Sequence, residues 1–306
     1  MFFKERIVRV FQATDIPYFL HYVASYKKNH CSNNFAGNLL FVKEQYLRNA
    51  GNDRQKLSDH FNTIIDNLVM PNGVKKTTYP MRQDRILSSI LEDKSCGIAK
   101  EHLKVLDIPS SAGTASLNIY EVLTKYYRVS TYVLGDLYFK IYYDSKRGCI
   151  YDEEWNLLQK RFKRQFFNIY QAHISADVFH FAPYYLLLPF RLVAWYLKKK
   201  FKHTAGASAY PIMLLHPDVE RRVGEGVFSI RKINVFENIG EQFDLIISFN
   251  LLQKNYFPEA LIQKGMNNLK NALSENGLLI MGDTVSFSVS IKKDGELVLI
   301  MKQGDF

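Results

Sequence analysis

Cysteine is scarce in this chain. There are three among 306 residues, Cys31, Cys96 and Cys149, far apart and with no C-x-x-C pair. That spacing argues against a disulfide framework and a thiolate zinc site, and it fits a reducing compartment. No G-x-G-x-x-G and no G-x-x-x-x-G-K-[ST] occurs, which weighs against dinucleotide and P-loop readings. The eight histidines and the carboxylates show no ligand spacing such as H-x-x-x-H, so no metal is expected. Repeats and low-complexity tracts are absent. The longest apolar run, 181–197, is interrupted by Pro183, Pro189 and Arg191, whereas a span needs about 20 apolar residues. The opening Met1-Phe-Phe-Lys-Glu-Arg meets charge too early for a signal-peptide apolar core, and the expectation is a cytoplasmic chain.

What is present is an ordinary globular composition, 47% hydrophobic and 23% charged, which excludes disorder as the main state. The formal charge of +10 allows an anionic partner without naming one. Phenylalanine (22) and tyrosine (19) are abundant, as in an aromatic-rich core.

Apolar residues at helical spacing predict N-terminal helices over 35–50 and 53–69, the second capped by Asn52 or Asp53. Met70-Pro-Asn-Gly73 breaks the pattern, and a further helix is expected over 82–92. From Lys104 the pattern alternates. Strands are expected at 105–108, 128–134, 228–236, 243–249 and 277–282, with helices at 115–123 and 258–273, which implies a largely parallel sheet covered on both faces. Asp294-Gly295 between two β-rich runs predicts a closing hairpin. The stretch from about 138 to 210 fits neither pattern and reads as an insertion. It opens on a hairpin over 140–151, continues through a basic helix over 155–171, and ends in an apolar segment followed by Lys198-Lys-Lys-Phe-Lys202.

In an open α/β sheet, ligands bind beyond the carboxyl ends of the strands. The first strand ends in Asp107-Ile-Pro-Ser-Ser-Ala-Gly113, small residues that let a ligand approach the backbone and the following helix N-terminus. The second strand ends at Asp136, an acidic group suited to the vicinal hydroxyls of a ribose. Together they suggest an adenosine-type ligand.

At this point the chain resembles class I S-adenosylmethionine-dependent methyltransferases. The likeness lies in the order of the first-strand loop, the acidic second-strand end, Phe243-Asp-Leu-Ile-Ile, a helix, Leu273-Ser-Glu-Asn-Gly277-Leu-Leu-Ile and the terminal hairpin. The stretch from Ile230 to Gly282 is similar to the chemotaxis-receptor branch. The resemblance implies a Rossmann-like α/β domain over 77–306, with the insertion after its second strand and an N-terminal helical extension over 1–76. It implies S-adenosylmethionine as cofactor. Asp107, Ser110, Ser111 and Gly113 would hold the methionine part, Asp136 the ribose, and Asn234 and Val235 the adenine, with Leu137 also among the cofactor-binding residues. Asn250 and Leu251 would lie near the sulfonium, and Arg82 would reach the cofactor. Two features depart from the family: the glycine loop keeps only Gly113, and the basic module that recognises a receptor peptide is not visible.

The reading is therefore methyl transfer to a small, hydrophobic or lipid-like acceptor, a reaction that needs alignment more than a strong catalytic group. Asn250, Tyr256 and His216 are the catalytic candidates, with His173 and His180 also open on chemistry alone. The insertion is expected to cover the site, and residues 184–202 suit either packing or an anionic membrane surface, which would make the protein peripherally membrane-associated. One alternative is a non-catalytic module with a degenerate site. Another is a nucleic-acid or protein methyltransferase, although no specific nucleic-acid motif is present and the basic residues are dispersed. The oligomeric state is not legible.

Overall fold

A computed structural model describes residues 68–71, 76, 84–92, 102–144, 146–162, 165–170, 188–202, 209–254, 256–283 and 286–304. The helix expected over 35–50, and residues 53–67 of the one expected over 53–69, lie outside the described residues. Leu68 to Met70, at the end of the second span, are buried but not helical. In chain order the elements are α1 (Asp84–Glu92), β1 (His102–Asp107), α2 (Thr114–Leu123), β2 (Arg128–Asp136), β3 (Lys140–Asp144), β4 (Cys149–Tyr151), β5 (Leu157–Phe162), β6 (Gln165–Asn168), α3 (Leu188–Lys200), β7 (Ala209–Met213), α4 (Pro217–Gly224), β8 (Ser229–Lys232), β9 (Phe243–Phe249), α5 (Glu259–Ala272), β10 (Leu273–Gly282), β11 (Phe287–Lys293) and β12 (Glu296–Gln303). The chain divides into two compact units: Met1–Thr77 with Lys140–Leu214, and Thr78–Phe139 with Leu215–Phe306.

The second unit holds a seven-stranded sheet in the order β12-β11-β10-β9-β1-β2-β8. β8, β2, β1, β9 and β10 run parallel, while β11 and β12 are antiparallel to their neighbours. Every residue of β9 is buried, as a central parallel strand requires. Its one carboxylate, Asp244, accepts the Lys104 N–H at 3.0 Å. One face of the sheet packs Leu106, Ile246 and Leu279 against Ile262 and Leu269 of α5. The closing hairpin has the expected two-residue turn. Lys293 pairs with Glu296, and Asp294 and Gly295 both take positive φ (52° and 79°), the type I′ geometry that follows the twist of the strands. At the other end of β10 the chain passes tightly. A Cβ on Gly282 would lie 2.5 Å from the Ser286 carbonyl, and the Gly282 carbonyl accepts the Asn250 N–H at 2.7 Å.

The first unit contains an antiparallel sheet, β6-β5-β4-β3-β7. β3 and β4 form the hairpin expected over 140–151. The basic helix expected over 155–171 is not there; β5 and β6 form a second hairpin in its place. The difference lies in a distant partner: β4 offers β5 a ladder, with Cys149 paired to Lys160 and Ile150 to Gln159. α3 packs on this sheet through Ala194 and Leu197, against Cys149, Tyr151, Leu157 and Ile169. Burial raises the Cys149 thiol pKa, as expected of a structural cysteine. Among the described residues, no helix is long and apolar enough to cross a membrane.

The sheet unit should show a steep contrast between centre and edge. Ile246→Ala removes a fully buried side chain from β9 and should lower stability by about 2–5 kcal/mol. Val298→Ala, on the edge strand and 44% exposed, should cost at most about 0.5 kcal/mol. Urea unfolding of the two variants checks this, and equal losses would contradict the strand order.

Candidate functional site

β1 has β2 on one side and β9 on the other, so the strand order reverses at β1. In open parallel sheets the ligand crevice forms at the carboxyl edge of such a point. Asp107, the last residue of β1, pairs with Leu134 and Ile247, so Asp136 and Phe249 reach two residues further along the same edge.

The loop after β1 is pinned over the end of β2. Ser110 N–H donates to the Gly135 carbonyl at 2.9 Å, and Ser111 N–H donates to Asp136 Oδ2 at 2.8 Å. The His216 N–H donates to the Ala112 carbonyl at 2.9 Å, tying the loop to the start of α4. Gly113 then opens α2 with φ 76°, and a Cβ there would come within 2.8 Å of Val219 Cγ1. Both the backbone angle and the packing exclude a side chain. The surviving glycine therefore serves helix packing. Ser110 Oγ and Thr114 Oγ1, both buried beside the start of α2, find no hydrogen-bond partner among the described residues.

Two buried carboxylates face this loop. Asp107 Oδ2 accepts the Ser116 hydroxyl at 2.5 Å and the Tyr132 hydroxyl at 3.2 Å. Burial nevertheless pushes the Asp107 pKa up to about 6; the two hydrogen bonds oppose the rise and the neighbouring Asp136 adds to it. Tyr132 is driven well above its ordinary value, first by burial and then by the Asp107 charge. Its ring is set against Tyr120 (centroids 5.8 Å apart) and Phe228 (5.0 Å). Asp136 is also buried; in addition to the Ser111 bond, its Oδ1 accepts the Tyr138 N–H at 3.1 Å.

The other residues singled out in the sequence fall as follows. Leu137 is half-buried directly after Asp136. Asn234 forms a turn after β8, its Oδ1 accepting from Phe236 N–H and its Nδ2 donating to Glu237, with Val235 buried beside it. Asn250 follows β9 in the left-handed region (φ 58°), a conformation asparagine tolerates better than most residues, and its Oδ1 accepts from Gln253 at 3.3 Å. Leu251, Phe236 and Phe257 pack against the same core, and the Phe236 ring meets that of Phe257 edge-on at 4.9 Å. Tyr256 is half-buried next to it. Arg82, His173 and His180 lie outside the described residues.

His216 stands at the start of α4. Its Nδ1 accepts the Asp218 N–H at 3.2 Å, capping α4 ahead of Pro217. Burial lowers its pKa, with Asp218 opposing. Ser116 and Tyr132, the partners of Asp107, were not foreseen. The only sequence signal was period two along β2, which sets Tyr132, Leu134 and Asp136 on one face.

No protein-family model matches this sequence, and no curated protein does. Among solved structures, the chain is similar to an O-methyltransferase family protein from Burkholderia thailandensis, at 11% identity and TM-score 0.32 over 81% of this chain and 49% of the other. It is similar to the N-methyltransferase NodS from Bradyrhizobium japonicum, solved with S-adenosylhomocysteine, at 13% identity and TM-score 0.28 over 81% and 72%. A S-adenosylmethionine-dependent methyltransferase from Clostridium acetobutylicum matches at 12% identity and TM-score 0.30 over 88% and 79%. The match spans about half the length of the Burkholderia protein. Likenesses this distant leave function to be judged from the site's own geometry.

Asp107 should make stability depend on pH. Its pKa is about 6 in the folded protein against 3.8 as the ordinary value, so ionising it disfavours the folded state. The penalty is absent below about pH 4, grows as pH rises, and reaches about 3 kcal/mol above pH 6. Asp107→Asn keeps an acceptor for Ser116 and Tyr132 but cannot ionise. Its stability relative to the parent should therefore rise between pH 4 and 6 and then level off. Urea titrations at pH 4, 5, 6 and 7 check this; a gap that stays flat or shrinks with rising pH would contradict the burial of this carboxylate.

Proposed function

We propose that the seven-stranded unit binds S-adenosylmethionine at the carboxyl edge of β1 and β2 and passes its methyl group to an apolar, lipid-like acceptor. The observation that carries this reading is the meeting of two buried carboxylates, Asp107 and Asp136, with a pinned loop of small residues at the point where strand order reverses. The residues suit the cofactor. The orphaned hydroxyls of Ser110 and Thr114 lie beside a helix N-terminus, the kind of place that receives a carboxylate. Asp107, once ionised, suits an ammonium group. Asp136, held at the end of β2 with both oxygens accepting backbone N–H groups, is an acidic group suited to a ribose hydroxyl.

The bound cofactor supplies a methyl group on a positively charged sulfur, open to in-line attack. The chain's own part is alignment. Asn234 and Val235 would flank the adenine, while Asn250 and Leu251, locked by the Asn250–Gly282 bond, would set the floor near the sulfonium. Phe236, Leu251 and Phe257 offer an apolar approach beyond β9, which favours an apolar acceptor over a peptide or a nucleic acid. A second reading, a binding module without catalysis, draws on His216, whose Nδ1 is engaged in capping α4.

Calorimetry with S-adenosylhomocysteine tests the cofactor. Binding should weaken about tenfold per pH unit below pH 6, because Asp107 must lose its proton to face the ligand's ammonium group. Asp136→Asn should cost at least about tenfold in affinity, equivalent to one charge-assisted hydrogen bond. No binding at any pH rejects the reading. Transfer of a tritiated methyl group to acceptors from a cell extract then separates the alternatives. Label in the organic phase supports the apolar acceptor, label in precipitated protein or nucleic acid overturns it, and binding without transfer selects the binding module.

A further inference from the structure

A helix that packs on a sheet ordinarily buries its apolar stripe and turns a polar face to water. α3 buries one apolar stripe and exposes another. Leu197, with Ala194 and then Phe201 beyond the helix, joins the core of the antiparallel sheet. On the far side Leu192, Val193, Trp195 and Tyr196 are 59%, 42%, 62% and 52% exposed. Leu192, Trp195, Tyr196, Lys199 and Lys200 follow the i, i+3, i+4, i+7, i+8 spacing of a single helix face. The lysines at its end lie by the aromatic rings. Lys199 Nζ is 5.5 Å from the Trp195 centroid and Lys200 Nζ is 5.4 Å from that of Tyr196. The helix sequence, LPFRLVAWYLKKK, contains one arginine, three lysines and no acid, and Lys202 follows it.

We propose that this face of α3 docks on the surface of an anionic phospholipid bilayer, with the helix lying in the plane of the interface. The charge pattern selects this occupant. A second copy of the face would set cations against cations with no carboxylate in either helix. A bilayer of acidic lipids offers negative headgroups and apolar depth within one deformable surface, which a convex ridge of mixed Leu, Trp, Tyr and Lys matches. Trp and Tyr favour the headgroup level, and lysines next to them meet the phosphates. At 1.5 Å per residue, 13 residues reach about 20 Å, short of the roughly 30 Å hydrocarbon layer, so the helix lies on the membrane and does not cross it. The inference does not depend on the methyl-transfer reading, and its test uses no cofactor.

The full chain is mixed with sucrose-loaded vesicles of phosphatidylcholine alone, or of phosphatidylcholine with 30% phosphatidylserine, and sedimented. Binding to the anionic vesicles only is expected, falling at least tenfold between 0.1 and 0.5 M salt through screening. Lys199→Glu with Lys200→Glu and Lys202→Glu should lower it at least tenfold; Lys198, which lies over the Tyr170 ring, is left in place. The chain has two tryptophans, Trp155 and Trp195, so a blue shift of emission on adding anionic vesicles that disappears in Trp195→Phe places the helix at the lipid. Circular dichroism confirms that the variants remain folded. Several results would overturn the proposal: equal recovery with both vesicle types, no recovery with either, or a shift that survives in Trp195→Phe. Concentration-dependent dimerisation, seen by sedimentation velocity and lost in Trp195→Phe, would assign the face to a second copy instead.

Discussion

The two oxygens of the Asp136 carboxylate accept backbone N–H groups from two segments, Ser111 in the loop after β1 and Tyr138 beyond the end of β2. Hydrogen bonds from main-chain donors to a buried carboxylate are among the stronger ones available to a protein. Here they make the loop's position a property of the sheet edge. The neighbouring bonds, Ser110 to Gly135 and His216 to Ala112, extend the same tie, so the entry to α2, the end of β2 and the start of α4 hold one arrangement. Asp107, beneath this arrangement, is left with two hydroxyl partners and little water, which is why its proton is hard to remove.

Where local chemistry alone decides structure, the sequence was a sufficient guide. Phe243-Asp-Leu-Ile-Ile-Ser-Phe249 is apolar on both faces, and only a strand inside a parallel sheet buries both. Asp294-Gly295 demands two positive φ angles, and the type I′ turn supplies them. Asp107 and Asp136 could be located because each ends an apolar run. What could not be read depends on distant partners. Ser116 meets Asp107 only through the turn at Gly113, and nothing in the spacing of His216 separates a helix cap from a proton acceptor. Residues 157–162 have enough Leu, Lys, Arg and Gln to pass for a helix, and they are strand because β4 offers them a ladder.

The inserted segment carries its own sheet and its own core, with Tyr142 stacked on Trp155 at 4.5 Å and Leu197 closing the other side. Tyr142, Tyr151 and Trp155 are thereby accounted for by packing. The Trp195 and Tyr196 rings of α3 take no part in it, and their exposure distinguishes this helix from one that buries its whole apolar surface.

The joint between Gly282 and Asn250 bears on how such a chain can diverge. A side chain at 282 would collide with the Ser286 carbonyl and the Phe249 ring, both fixed by neighbouring strands. The outer hairpin can therefore lengthen, shorten or exchange its surface residues over evolutionary time, while this passage stays closed to every amino acid but the smallest. Sequences that keep this architecture would keep glycine at 282, as at 113, and a replacement at 282 would require the Ser286 carbonyl or the Phe249 ring to move first.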